Sequence, residues 1–128
     1  MAYAAEEWIG FHSALLLQKK GFKGDYDFGY DNDEEISDCL SPAISGLEIP
    51  APTQQVVMRW LRETHNIFIQ VCVVDHSTIT MEEAYYFFKI FKNRRMVSGY
   101  DPVMFKTYEE CVESAIEYCL EKLVKDED

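Results

Sequence analysis

The stretch from Thr53 to Val124 constrains this chain more than any other, because it reads as helix, β-hairpin, helix, each element with its own start and stop residues. Thr53 follows Pro52 and precedes a helical run, the place for an N-cap. Val57, Trp60, Leu61 and Thr64 mark the stripe to be buried, with Arg59, Arg62 and Glu63 outward. Asn66 tolerates the left-handed conformation that ends a helix. Residues 67–74, IFIQVCVV, are rich in β-branched side chains and predict a strand covered on much of both faces. A polar connection over 75–82 leads to an antiparallel partner within 83–93, and Asn93-Arg94-Arg95 turns into a shorter third strand over 96–100. Thr107 and Glu110 then form a capping box for a last helix. Val112, Ala115, Ile116, Cys119, Leu120 and Leu123 make its apolar stripe, and Glu109, Glu113, Glu117 and Glu121 lie four apart on another face.

Upstream, a first helix is expected over 5–20, with Trp8, Phe11, Leu15 and Leu16 on its buried side. Gly21 supplies a left-handed stop, and Phe22 can close a Schellman motif on Leu17. Residues 23–52 are irregular and acidic, with room for at most one or two short strands. In them Tyr26, Phe28 and Tyr30 alternate with Asp25, Asp27, Gly29 and Asp31, which places aromatics on one face and acids on the other. The 128 residues suit a single domain over 1–128 with a frayed tail at 125–128. The expected class is α+β: an antiparallel sheet of three to four strands packed against two or three helices, the first helix at one edge.

Composition removes several functions. Twenty-three acids against twelve bases give a charge of −11, which repels polyphosphate and argues against direct nucleic-acid binding. No apolar run reaches the length of a membrane span, and the amino terminus lacks a secretory pattern, so a cytoplasmic protein is expected. The four cysteines form no C-x-x-C pair, hence no zinc knuckle or redox motif. Cys111 and Cys119 are about 12 Å apart along one helix, too far for a disulfide.

Asp31, Asp33 and Glu35 imitate the opening of a calcium loop, but Ile36 and Pro42 stand where glycine and glutamate are required, leaving a solvated acidic loop. His12, His65 and His76 fall on different expected elements, so no metal site is assigned, and His65 suits a helix C-terminus as a dipole partner. Glycine-rich phosphate loops and nucleophile elbows are missing, so neither a cofactor nor an enzymatic activity is assigned. Two surface features remain. Lys89, Lys92, Arg94 and Arg95 gather a third of the positive charge in seven residues and could meet a phosphate or an acidic partner. The aromatic run that includes Tyr85 and Phe87 cannot face one core, so one side of that strand is a candidate binding or self-association surface.

The segments PTQQVVMRWLRETHNIFI and FKTYEECVESAIEYCLEKL resemble short proteins common in gut-bacterial phages and mobile elements, which share a P-T-x₆-W-L-R-E-x-H-x-I core and a T-Y-E-E final helix. The resemblance implies an α+β domain of mobile-element origin and no catalytic residues. The expected function is a non-catalytic acidic module that binds protein, as a homodimer or on a host protein. Its surface would draw on Tyr85, Phe87, Arg94, Arg95, Asp25, Asp27, Asp31, Glu113 and Glu117. In a sharper form the acidic stripe of the last helix mimics nucleic acid. The alternative is a small-ligand or nucleotide pocket lined by aromatics, with Arg94 or Arg95 on a phosphate.

Overall fold

The computed structural model describes residues 8–23, 28–30, 36–38, 49–74, 85–99 and 103–125. Asp25, Asp27, Asp31, Cys39, the 75–82 connection and the end of the tail lie outside them. The elements in order are α1 (Phe11–Lys19), β1 (Phe28–Tyr30), β2 (Ile36–Asp38), β3 (Ile49–Pro50), α2 (Gln54–His65), β4 (Ile67–Val74), β5 (Tyr85–Lys92), β6 (Arg95–Ser98) and α3 (Tyr108–Tyr118). A π-helical turn, Cys119–Leu123, continues α3.

The local punctuation works as the sequence predicts. Thr53 Oγ1 accepts the Val56 N–H and Thr107 Oγ1 accepts the Glu110 N–H; the Glu110 carboxylate accepts from the Thr107 hydroxyl instead of the Thr107 N–H, so the expected capping box is half made. At the end of α1 the N–H groups of Gly21 and Phe22 bond the carbonyls of Gln18 and Leu17, a complete Schellman motif with Gly21 at φ 83°. Asn66 ends α2 at φ 54°.

The class is α+β, with two antiparallel sheets where one was expected. Strands β4, β5 and β6 are the predicted hairpin and its short third strand, in the order β4-β5-β6. The second sheet, β2-β1-β3, comes from the segment read as irregular, which holds three very short strands instead of one or two. Tyr30 explains much of its placement: its side chain turns inward to 8% exposure, and its hydroxyl donates to the Ile9 carbonyl at 2.8 Å.

Helix α1 begins at Phe11, six residues later than expected at Ala5. The backbone before it is committed elsewhere. Trp8 bridges Thr53, the Ile9 N–H bonds the Pro52 carbonyl at 3.0 Å, and Gly10 is extended. The buried side of α1 is therefore Ser13, Ala14 and Leu17, rotated from the predicted Trp8–Phe11–Leu15 stripe. Its main contacts are with α3, the π turn and β3, so it sits against the last helix and not at the edge of the larger sheet.

Helices α2 and α3 cover one face of β4-β5-β6. Leu61, Val57, Ile67, Ile90, Val112, Ile116 and Leu120 form the centre of one cluster that also takes in Leu17 and Tyr30. Full burial of such side chains stabilises by roughly 1.5–3 kcal/mol each. Strand β4 is not covered on both faces as predicted, since Phe68 keeps 44% and Val73 53% of their surface.

Candidate functional site

Two regions combine polar chemistry or open surface in ways that local structure does not require. The first is the seam between α1 and α3. Glu113 stands on the second turn of α3, second in the acidic stripe, and the docking of α1 brings the start of α1 onto it. Glu113 Oε2 accepts the Gly10 N–H at 2.9 Å and the Ser13 hydroxyl at 2.6 Å, and Oε1 accepts Gln54 Nε2 at 3.2 Å. Gln54 also donates to the Glu109 carbonyl. Ser13 is fully buried and Gln54 nearly so, so one carboxylate satisfies donors from two other helices and opposes the positive end of the α1 dipole. Glu113 therefore serves the interior of the fold. A cleft of about 470 Å³ opens beside it, lined by Trp8, Tyr30, Gln54, Thr107 and Glu110 among others.

One helical turn further, Glu117 and Glu121 face His12. His12 Nε2 lies 3.1 Å from Glu121 Oε1 and 3.9 Å from Glu117 Oε2. Burial pushes the Glu117 carboxyl above its ordinary range; His12 opposes the shift, while Glu113 and Glu121 add to it. Of the acidic stripe, Glu113 is thus engaged internally, while Glu109, Glu117 and Glu121 keep surface open to solvent.

The second region is the side of β4-β5-β6 turned away from the helices. On β5, Phe88 stacks with Phe105 and Tyr86 meets Tyr108 edge to face, which directs them toward the α3 side. By the two-residue period of a strand, Tyr85, Phe87 and Phe91 point the other way. Phe91 pairs with Phe68 on one side and Met96 on the other, an apolar row across all three strands. Of the residues expected here, Tyr85 is 39% exposed and Phe87 partly buried. Phe68 stands exposed in a strand whose composition predicts cover on both faces.

The basic group divides. Lys92 Nζ donates to the Leu123 carbonyl at 2.9 Å, at the negative end of the last helix. Asn93 and Arg94, at φ 52° and 70°, form a two-residue turn that leaves Arg94 and Arg95 exposed. An apolar cavity of about 370 Å³, lined by Phe88, Gly99, Val103, Phe105 and Tyr118 among others, includes neither arginine.

Thiols and imidazoles sort by burial. Burial raises Cys111 to about 11, Cys72 adding to it, and raises Cys119 to about 12 against the pull of Lys92. His65 packs edge-on against Trp60 at 4.6 Å, and its Nε2 is buried with no hydrogen-bond partner. Burial and then Lys92 hold it below the ordinary imidazole range, which weakens it as the dipole partner expected at the end of α2. The sequence did not single out Ser13 or Gln54, and read His12 as isolated.

No protein-family model matches the chain, and no curated protein or solved structure matches it. No helix among the described residues is long and apolar enough to cross a membrane.

Proposed function

We propose that this chain is a cytoplasmic, non-catalytic protein-binding module that works through the β4 side of its three-stranded sheet, and that the partner seated there is a second copy of itself. The contrast between the two sheet edges carries this reading. The β6 edge has the devices that discourage pairing: four residues only, a leading Arg95, and a register shift between Ile90 and Phe91. The β4 edge has none of them. It runs eight residues without a charge or a proline, and its outer edge pairs with no other strand among the described residues.

Net charge opposes a second copy, but the charge at the β4 edge itself permits one. At −11 two copies repel over most of their surface, but the neutral IFIQVCVV strand lets them approach without setting acid against acid. Antiparallel pairing of β4 with itself about a two-fold axis is self-complementary. It would make one six-stranded sheet with the Phe68–Phe91 rows of both copies on the same side. The likeness to phage and mobile-element proteins supports an accessory role for such a dimer, acting on a host protein.

Sedimentation velocity over a range of concentrations tests the reading. The wild type should be dimeric, and the double substitution Phe68→Lys with Val73→Lys, at two exposed positions, should give a folded monomer. A monomeric wild type, or a variant that dimerises equally well, would refute it.

A further inference from the structure

We propose that His12, Glu117 and Glu121 form a binding site for a divalent first-row transition ion of the zinc class, open on one side to water. The three donor atoms come from two helices more than a hundred residues apart in sequence and lie within 4.8 Å of one another. The donor set is chemically selective. One imidazole nitrogen with two carboxylate oxygens suits zinc, iron or manganese better than calcium or magnesium, which prefer oxygen alone. Three protein ligands plus water is the arrangement of an open zinc site. Around a zinc ion with bonds of about 2.0–2.1 Å, tetrahedral neighbours sit roughly 3.4 Å apart. Separations of up to 4.8 Å must shrink by at most about 1.4 Å, within reach of side-chain rotation by an exposed imidazole.

The backbone beneath the site is already fixed. Glu113, one turn before Glu117, holds the first turn of α1 through Gly10 and Ser13, so His12 arrives opposite Glu117 without further ordering. The π turn supplies the third ligand. Such turns are rare and recur at functional sites; this one carries Glu121 and is closed by the Val124 N–H on the Cys119 carbonyl. The local charge is unbalanced as well. Among the described residues Glu117 and Glu121 form ion pairs with no lysine or arginine, and their one close partner of opposite tendency is His12. A divalent cation would neutralise both carboxylates.

Among the described residues Cys111 and Cys119 are buried competing ligands, and burial, which holds their thiols protonated at neutral pH, disfavours them. The test uses the full, untagged chain. Calorimetric titration with zinc chloride should show one saturable site per chain, weakened at least ~10-fold by His12→Ala and by Glu121→Gln. Glu63→Gln on α2 should leave it unchanged. His12 is 62% exposed, so its removal should spare the fold, which circular dichroism checks. In parallel, cobalt should bind without a thiolate charge-transfer band, and the Nε2 resonance of His12 should shift on adding zinc. Absence of saturable binding, equal affinity in the His12 variant, or a thiolate band would each overturn the assignment.

Discussion

Replacing Glu113 by alanine separates two accounts of the last helix. If Glu109, Glu113, Glu117 and Glu121 were a solvated stripe, the substitution would relieve like-charge repulsion and raise stability by a few tenths of a kcal/mol. The structure gives the opposite sign. Ser13, fully buried, would lose the acceptor of a 2.6 Å hydrogen bond, and an unsatisfied buried hydroxyl costs about 1–3 kcal/mol. The Gly10 N–H would lose its acceptor at the α1 N-terminus, worth about 1 kcal/mol. Gln54 would suffer less, since it keeps the Glu109 carbonyl. The expected loss is about 3 kcal/mol, a large share of the roughly 5–15 kcal/mol that holds a domain together.

Urea denaturation followed by circular dichroism reads this directly. With a slope of about 2 kcal/mol per molar, the midpoint should fall by about 1.5 M. Glu113→Gln keeps one acceptor oxygen and should lose about half as much. Adding Ser13→Ala to Glu113→Ala removes the orphaned hydroxyl, so the pair should couple by about 1–2 kcal/mol in a double-mutant cycle. An unchanged or raised midpoint for Glu113→Ala would show that the carboxylate is a surface charge and that α1 is not docked through it.

Other substitutions probe strain and protonation. Arg94→Gly replaces a left-handed arginine in a turn that favours glycine at that place, and should gain about 1 kcal/mol, raising Tm by roughly 4 °C; a lower Tm would contradict the turn geometry. Gly99→Ala meets φ 127° and places its Cβ 2.9 Å from Lys89 Cγ, so a loss of about 2 kcal/mol is expected in the same melt. His65 titrates below its ordinary value when folded, so its stabilising neutrality is complete above about pH 6.5 and is lost as pH falls below it. Comparing urea midpoints on either side of that pH, the wild type should weaken in acid more than His65→Gln, and equal slopes would refute the assignment. Glu117 works the other way. Its raised value makes ionisation unfavourable in the fold, so in metal-free protein Glu117→Gln should stabilise at neutral pH, a gain that disappears as pH falls toward 4.5.

What the sequence disclosed and what it hid differ by the range of the interaction. Thr53, Thr107 with Glu110, Gly21 with Phe22, and Asn66 act on backbone groups within a few residues, so their types and spacing suffice; each ends or starts its helix as expected, although only the Thr107 half of the capping box binds backbone. The apolar stripe of α3 is legible for the same reason, because helical period is local. In α2, Val57 and Leu61 are buried and Trp60 packs against the core as expected, but Thr64 is exposed and the buried series is completed by Met58 and the polar Gln54. Reading polarity as exposure hid Gln54. Gly10 was the overlooked sign in the first helix, since a glycine between Ile9 and Phe11 marks a start better than a helix interior.

The α1–α3 seam was illegible for a deeper reason. Period four places four glutamates on one side of a helix, but says nothing of what lies opposite. Ser13, Gln54 and Gly10 are each unremarkable until tertiary docking turns them toward one carboxylate, and His12 acquires Glu117 and Glu121 only through the same docking. An apolar seam would tolerate sliding of α1 along α3. Three hydrogen bonds converging on Glu113 do not, because any shift of the helix would strand a buried donor. The polar set therefore fixes the register of two helices, and that register decides whether His12 stands over Glu117 and Glu121. Loss of the Glu113 lock should thus weaken zinc binding along with the fold, whereas loss of His12 should weaken zinc binding at least ~10-fold and leave the urea midpoint nearly unchanged.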